Sequence, residues 1–305
     1  MEDSIHQDYH VPVLLGEALE GLSLRGDGTY VDVTFGGGGH SKAILAGLGP
    51  EGRLLAFDQD GDAAANALDD GRFTFINENF RHMKNFLRVH GVRHVDGVLA
   101  DLGVSSHQFD VAERGFSTRF EGELDLRMDR RGEVTARDVV VSEDEEGLCR
   151  ILKMYGELPN ARQMARAIVK ARSAKEIVTT TDLKEAVCRH LPRGMENRYL
   201  AMLFQALRIE VNGELESLKA MLQQASEVLV PGGRLVVISY HSLEDRLVKN
   251  FMRSGNFEGE VEKDFYGNVL SPMRMVSRGA VKASEAEVAA NSRARSARLR
   301  VGEKV

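Results

Sequence analysis

Asp32-Val-Thr-Phe-Gly36-Gly37-Gly38-Gly39-His40-Ser41 is the stretch from which the fold can be read. An apolar run at 29–35 leads into it and a helical pattern at 41–48 follows. Four glycines therefore stand where a strand turns into a helix, and a backbone without side chains can pass close to a ligand there. A dinucleotide fingerprint would need a third glycine at Ser41 or Lys42, and no Gly-Lys-Ser/Thr triplet exists, which disfavours pyrophosphate and triphosphate cradles. Asp58 ends the next apolar run, 22 residues after Gly36, where a carboxylate can accept both hydroxyls of a ribose.

Working outward, further strand runs fall at 53–58, 73–76 and 95–101, separated by helical patterns at 60–68 and 80–90, a rhythm that implies parallel pairing. Asp32, Asp58 and Asp101 then lie at or near the carboxyl edge of one sheet. Such an acidic edge repels a pyrophosphate and suits S-adenosylmethionine, which carries a sulfonium and an ammonium group. Residues 113–131 read as loop, and 142–155, 160–173, 181–190 and 198–229 as helices, with Ser142 and Thr181 as candidate caps. The strand rhythm returns at 234–240, after a turn expected at Pro231-Gly232-Gly233.

The chain has 305 residues, 43% hydrophobic and 28% charged, with a formal net charge of -6, which excludes disordered, collagenous and coiled-coil classes. No run suits a membrane span, and an N-terminus bearing Glu2, Asp3 and Asp8 does not read as a leader, so a cytoplasmic protein is expected. Cys149 and Cys188 are too few for a disulfide framework or a cysteine-built zinc site and are expected to be buried thiols. His90 and His94, separated by Gly91, do not read as a metal pair, and no metal is expected.

Net charge hides a local asymmetry. Residues 150–208 carry twelve Lys and Arg against five Asp and Glu, and 291–305 five against one. In the first segment Arg162, Arg166 and Lys170 share one helical stripe, with Arg172 nearby. In the second Arg293, Arg295, Arg298 and Arg300 cluster. Both are candidate phosphate contacts.

Thr34-Phe-Gly-Gly-Gly-Gly-His-Ser41, Asp101-Leu-Gly-Val-Ser-Ser106, Glu113-Arg-Gly-Phe-Ser117, Phe204-Gln-Ala-Leu-Arg-Ile209 and His241-Ser-Leu-Glu-Asp-Arg246 occur in this order. With them the chain, from about His10 to Arg300, resembles the MraW/RsmH family of 16S rRNA cytosine-N4 methyltransferases. The resemblance implies a class I, Rossmann-like α/β methyltransferase sheet with an inserted all-helical domain. It implies S-adenosylmethionine as cofactor, and as acceptor a cytidine in the decoding centre of 16S rRNA, within the small ribosomal subunit. The expected division is a discontinuous methyltransferase domain at 1–108 and 216–305 and an RNA-binding insertion at 109–215. By motif, Gly38, Gly39, His40, Asp58, Phe80, Asp101 and Gln108 form the cofactor set. The chain departs from the family pattern at His107, at Glu157-Leu-Pro-Asn160 and at Asn197-Arg-Tyr-Leu200.

Transfer to an exocyclic amine chiefly needs alignment and exclusion of water. The amine's lone pair is delocalised into the ring, and acceptors for its hydrogens can draw it out. Asp101, Ser105 and Ser106 are the candidates. His241, following the 234–240 strand, could contact the base or its neighbouring phosphate, or could simply belong to a helix start capped by Ser242, with Glu244 and Arg246 paired on the surface. Two other readings are a non-catalytic assembly factor that uses the cofactor for shape alone, and a methyltransferase for another nucleobase amine.

Overall fold

The computed structural model describes residues 12–118, 120–277 and 279–305. Glu2, Asp3, Asp8 and His10, used above, lie outside the described residues. The chain divides into two compact units, the first comprising 1–58, 62–103 and 219–305 and the second 59–61 and 104–218.

The first unit is built on seven strands: β1 (Thr29–Asp32), β2 (Arg53–Phe57), β3 (Phe73–Ile76), β4 (Val95–Asp101), β5 (Leu229–Ser239), β6 (Met273–Met275) and β7 (Arg298–Lys304). Their order across the sheet is β3-β2-β1-β4-β5-β7-β6. The pairs from β3 to β5 are parallel, and β7 runs antiparallel to both its neighbours. This is the class I methyltransferase arrangement: an open α/β sheet whose order reverses between β1 and β4, where the carboxyl ends leave a crevice. The interior strands are apolar runs covered on both faces, as parallel strands must be.

Three helices position the site. Helix α1 (Leu15–Leu22) buries Ala18 and Leu22. A side chain at Gly21 would stand 2.8 Å from Val301 and 3.1 Å from Val236, so glycine lets α1 lie directly on β5 and β7. Helix α2 (Gly39–Ala46) starts at the glycine loop and packs Ile44 and Leu45 into the same core. Where helices were expected at 60–68 and 80–90, the chain forms a 3-10 turn at Gly61–Asn66, then another at Phe80–His82 leading into α3 (Met83–Val89). Asn79 caps that second turn by accepting from the Arg81 N–H.

The second unit is helical: α4 (Ser106–Asp110), α5 (Ala136–Ser142), α6 (Glu145–Met154), α7 (Ala161–Ala174), α8 (Thr180–Val187) and α9 (Glu196–Asn212), before α10 (Glu214–Val228) carries the chain back to the first. One apolar cluster, including Leu148, Ile151, Met164, Ile168, Leu183, Leu203 and Leu207, forms its core. Complete burial of each such side chain contributes roughly 1.5–3 kcal/mol.

Several local expectations change here. The single helix expected at 198–229 is two, broken at Gly213. There φ is 55°, and the amide donates back to the Glu210 and Ile209 carbonyls, an ending that glycine alone adopts at little cost. The apolar period continues across the break, which hides it in the sequence. Ser142 does not cap α6; it ends α5, and Asp144 accepts from Gly147 N instead. The cap of α8 is Thr179, in a reciprocal pair with Asp182, not Thr181. Pro231-Gly232-Gly233 lies within the span of β5, but pairing with β4 passes from Val95–Leu229 to Gly97–Arg234, so the exposed Pro231-Gly232 segment, with Gly232 at φ 79°, stands out of register as a local excursion inside the strand and not at its start. Cys188 is exposed at the end of α8 and Cys149 half-buried, so neither is the expected core thiol.

After β5 the first unit adds α11 (Ser242–Ser254) and α12 (Glu285–Ala290). Among the described residues no helix is long and apolar enough to cross a membrane.

Candidate active site

At the turn after β1, Gly36 and Gly38 hold φ of 51° and 76°, left-handed values that favour glycine. A side chain on Gly38 would strike the Phe35 ring at 2.9 Å, and one on Gly39 would meet Pro12 at 2.3 Å. Both glycines are therefore demanded by the protein's own packing. Gly37 differs: a Cβ there would meet nothing within 4 Å, so the protein leaves open space over that residue.

Asp32 anchors the loop from beneath. It is buried and accepts from Ser41 Oγ at 2.7 Å and from the Thr34 N–H at 3.0 Å. Thr34 Oγ1 in turn accepts from the Asp101 N–H at 2.7 Å, tying the ends of β1 and β4 together. Burial pushes the Asp32 carboxyl above its ordinary range, and the His40 charge and these donors oppose the shift. Asp32 is thus an internal brace, and the expected acidic edge reduces to Asp58 and Asp101.

Asp58 follows β2 and is half-buried, with Oδ2 accepting the Gly36 N–H at 2.7 Å. The carboxylate is thereby fixed against the glycine loop. Phe80 is half-buried at the start of its 3-10 turn, directly after the segment that follows β3.

Asp101 is where the side chains converge. Its Oδ1 accepts from Tyr240 Oη at 2.7 Å, and its Oδ2 lies 3.7 Å from His40 Nδ1. His40 is held from the other side, Nε2 lying 3.2 Å from the Val13 carbonyl. Burial raises the Asp101 carboxyl to about 6; the His40 charge and the Tyr240 hydroxyl pull it down, while Asp32 and Glu244 push it further up. The Tyr240 hydroxyl is pushed well above its ordinary value by burial and by Asp101, so it remains a donor. Tyr240 was missed in the sequence. Its only signal was its place directly after the strand that ends beside Asp101.

His241 is itself the N-cap of α11. Its Nδ1 accepts from the Glu244 N–H at 3.4 Å, and Glu244 Oε2 accepts from the Tyr240 N–H at 2.9 Å and the His241 N–H at 3.3 Å. The expected alternative, with Ser242 as cap and Glu244 on the surface, is replaced: Glu244 is buried and braces the backbone on which Tyr240 stands.

Ser105, Ser106 and Gln108 fall in the second unit. Ser105 Oγ accepts the Gln108 N–H at 3.2 Å as the cap of α4, so the hydroxyl proposed for amine contact already carries a structural role. Ser106 is the first residue of α4. The buried Gln108 amide donates to Asp60 Oδ2 at 2.7 Å and accepts from Ser105 N at 3.2 Å. Asp60 also holds Arg114, buried to 1% exposure, whose Nη2 lies 2.9 Å from Asp60 Oδ2 and donates to the Arg127 and Met128 carbonyls.

Arg162, Arg166 and Lys170 are exposed along one stripe of α7, with Arg166 paired to Glu145 at 3.2 Å. Arg172 does not join them, because its guanidinium donates to the Val140 and Glu143 carbonyls at the end of α5. In the first unit Arg295 and Arg298 are exposed and Arg293 half-buried. Arg300 is buried against Asp245 at 2.7 and 3.0 Å, a structural pair that removes it from the expected cluster.

The profile of the MraW methylase family matches residues 7–305. A protein of Flavobacterium johnsoniae named ribosomal RNA small subunit methyltransferase H is 57% identical over 298 residues, covering 98% of each chain. Its namesake from Phocaeicola vulgatus is 56% identical, also over 98% of each. A crystal structure described as a putative rRNA-methylase from Clostridium thermocellum aligns with a TM-score of 0.46 at 15% identity, over 97% of this chain and 99% of that one.

Proposed function

The chain belongs to the MraW methylase family, and from that premise we propose that it methylates the N4 amine of a cytidine in the decoding centre of small-subunit 16S rRNA, using S-adenosylmethionine. The observation that carries the reading is the carboxyl edge of the sheet: a glycine loop open over Gly37, Asp58 fixed beside it, and Asp101 at the next strand end. The names borne by relatives at 56–57% identity supply the acceptor class. The protein would act in the cytoplasm.

The residues present fit the cofactor. Gly37 leaves room for its backbone-facing side, Asp58 has a carboxylate for the ribose hydroxyls, Phe80 offers a ring to the adenine, and no phosphate has to be accommodated. Gly38, Gly39 and His40 shape the loop against it, and Gln108 completes the set proposed to hold it. When bound, the cofactor supplies an electrophilic methyl group on a sulfonium.

This chain's own work is alignment and proton control. Asp101 presents Oδ2 to a hydrogen of the amine, since Oδ1 is taken by Tyr240. A carboxyl near 6 is ionised at neutral pH yet basic enough to hold that hydrogen as the nitrogen gains its new bond. Tyr240 and His40 fix its plane. Ser105 and Ser106 remain secondary candidates for the amine, and His241 acts through the backbone it caps. Arg162, Arg166 and Lys170, with Arg293, Arg295 and Arg298, would hold RNA phosphates.

The test is transfer of labelled methyl from S-adenosylmethionine to small ribosomal subunits from cells lacking this gene, followed by nucleoside analysis. N4-methylated cytidine is expected. Label on another base would overturn the acceptor, and cofactor binding without transfer would overturn the catalytic reading.

A further inference from the structure

Beside Tyr240, in the first unit, lies a cavity of about 390 Å³, lined by Tyr240, His241, Arg295 and Arg298 of the reading above and by further residues to which that reading gives no role. One wall is a single stripe of α11: Ser242, Asp245, Arg246 and Lys249. The other is the approach to β7, from Arg295 to Arg298, together with Lys282, which follows the Val281 bridge to Leu299. Five cations (Arg246, Lys249, Lys282, Arg295 and Arg298) thus line one half-open concavity.

Arg246 is engaged within the protein and Arg298 lies near Asp245, but not all of this charge is spent there. Among the described residues the one carboxylate lining the cavity is Asp245, already gripped by the buried Arg300 at 2.7 Å and within 3.6 Å of Arg298. Lys249, Lys282 and Arg295 form no side-chain hydrogen bond or ion pair among the described residues. Cations crowded into a concavity repel one another and raise the local potential, an arrangement that stabilises an anion held among them. The space falls in the range of small-ligand sites. Its position matters as much as its charge, because Tyr240 both lines the cavity and donates to Asp101. A phosphate held there is therefore separated by one side chain from the carboxylate that receives the amine.

We propose that this cavity is the socket for the backbone phosphate adjoining the methylated nucleotide, with Lys249 and Lys282 as positioning residues from its two walls. The proposal rests on the methyltransfer reading and deepens it: the phosphate is gripped on one side of Tyr240 while the base amine is presented to Asp101 on the other. Seating a phosphate next to the target fixes the register of the strand and holds the base outside its stack.

The full chain is titrated with cytidine, cytidine 3'- and 5'-monophosphate and adenosine 3'-monophosphate, at about 50 and 200 mM salt. At least one cytidine monophosphate is expected to bind tenfold or more tightly than cytidine, and the ratio should shrink with salt. In Lys249→Met/Lys282→Met the ratio should fall toward one while affinity for S-adenosylmethionine stays unchanged, a split that a merely structural role would not produce. Lys282→Met alone, at an exposed position, should give a partial loss and guards against misfolding of the double variant. Equal binding of nucleoside and nucleotides, no measurable binding of either, or an undiminished ratio in the double variant would overturn the socket. A phosphate gain seen for adenylate and not for cytidylate would leave the socket standing and overturn the cytidine reading.

Discussion

Replacing Asp101 by Asn removes the charge whose burial raises this carboxyl from an ordinary 3.8 to about 6. Asparagine retains an oxygen to accept the Tyr240 hydroxyl, so the change isolates the cost of ionisation. Between those two values the folded chain binds more protons than the unfolded one, so the wild-type carboxyl lowers stability progressively as pH rises through that window. Linkage gives a cost of about 1.5 kcal/mol at pH 5 and about 3 kcal/mol at pH 8, where the carboxylate is ionised in both states. The variant should therefore be more stable than wild type, by a margin that grows by about 1.5 kcal/mol between the two pH values. Urea unfolding of both proteins at pH 5 and pH 8 measures this directly. The same variant should lose about 100-fold or more in methyl transfer, having no base for the amine hydrogen. A stability difference independent of pH, or a wild type more stable than the variant at pH 8, would refute the assignment of a strained, ionised carboxylate at this strand end.

Four further outcomes follow from the geometry. Gly37→Ala should change stability by less than about 0.5 kcal/mol yet weaken the cofactor at least tenfold in calorimetric titration, whereas Gly38→Ala, at φ 76° and against Phe35, should destabilise the fold itself by about 1 kcal/mol or more. Asp58→Ala removes the ribose acceptor and should raise the cofactor dissociation constant by about 10- to 100-fold, the loss of one or two hydrogen bonds to a charged group. Arg162→Glu/Arg166→Glu/Lys170→Glu should weaken RNA binding and flatten its logarithmic salt dependence by about two, with cofactor affinity as the control. Arg114→Met strands the buried Asp60 carboxylate and should cost about 3–5 kcal/mol in denaturant unfolding.

What could be read in advance follows a physical divide. The β1-to-β4 rhythm was legible because fully buried parallel strands are short apolar runs, and Asp58 and Asp101 stood out as carboxylates ending such runs. β7 was not, since Arg298, Arg300, Glu303 and Lys304 interrupt its apolar residues, and only the structure shows Arg300 paired with Asp245 inside. Contacts were less legible than positions. Asp32 and Asp101 look alike in sequence, both closing a strand, but Ser41 and Thr34 turn the first into a brace while Tyr240 and His40 surround the second. Arg172 and Arg162 are equally basic and stand on the same helix, α7, yet the carbonyls ending α5 capture only the former. Gly213 breaks a helix whose apolar period runs on undisturbed, because a left-handed residue leaves no trace in hydrophobic spacing.

The antiparallel β7 has a consequence for the order in which the protein can be made. It lies between β5 and β6, so β5 must wait for a neighbour that leaves the ribosome about sixty residues later. At about 5–20 residues per second that is a delay of roughly 3–12 s during which β5 presents an unpaired edge of backbone donors and acceptors. Slow translation between 240 and 298 should therefore promote aggregation of nascent chains, and a chain stopped before Arg298 would leave the sheet open at an interior position, where no other strand can take its place.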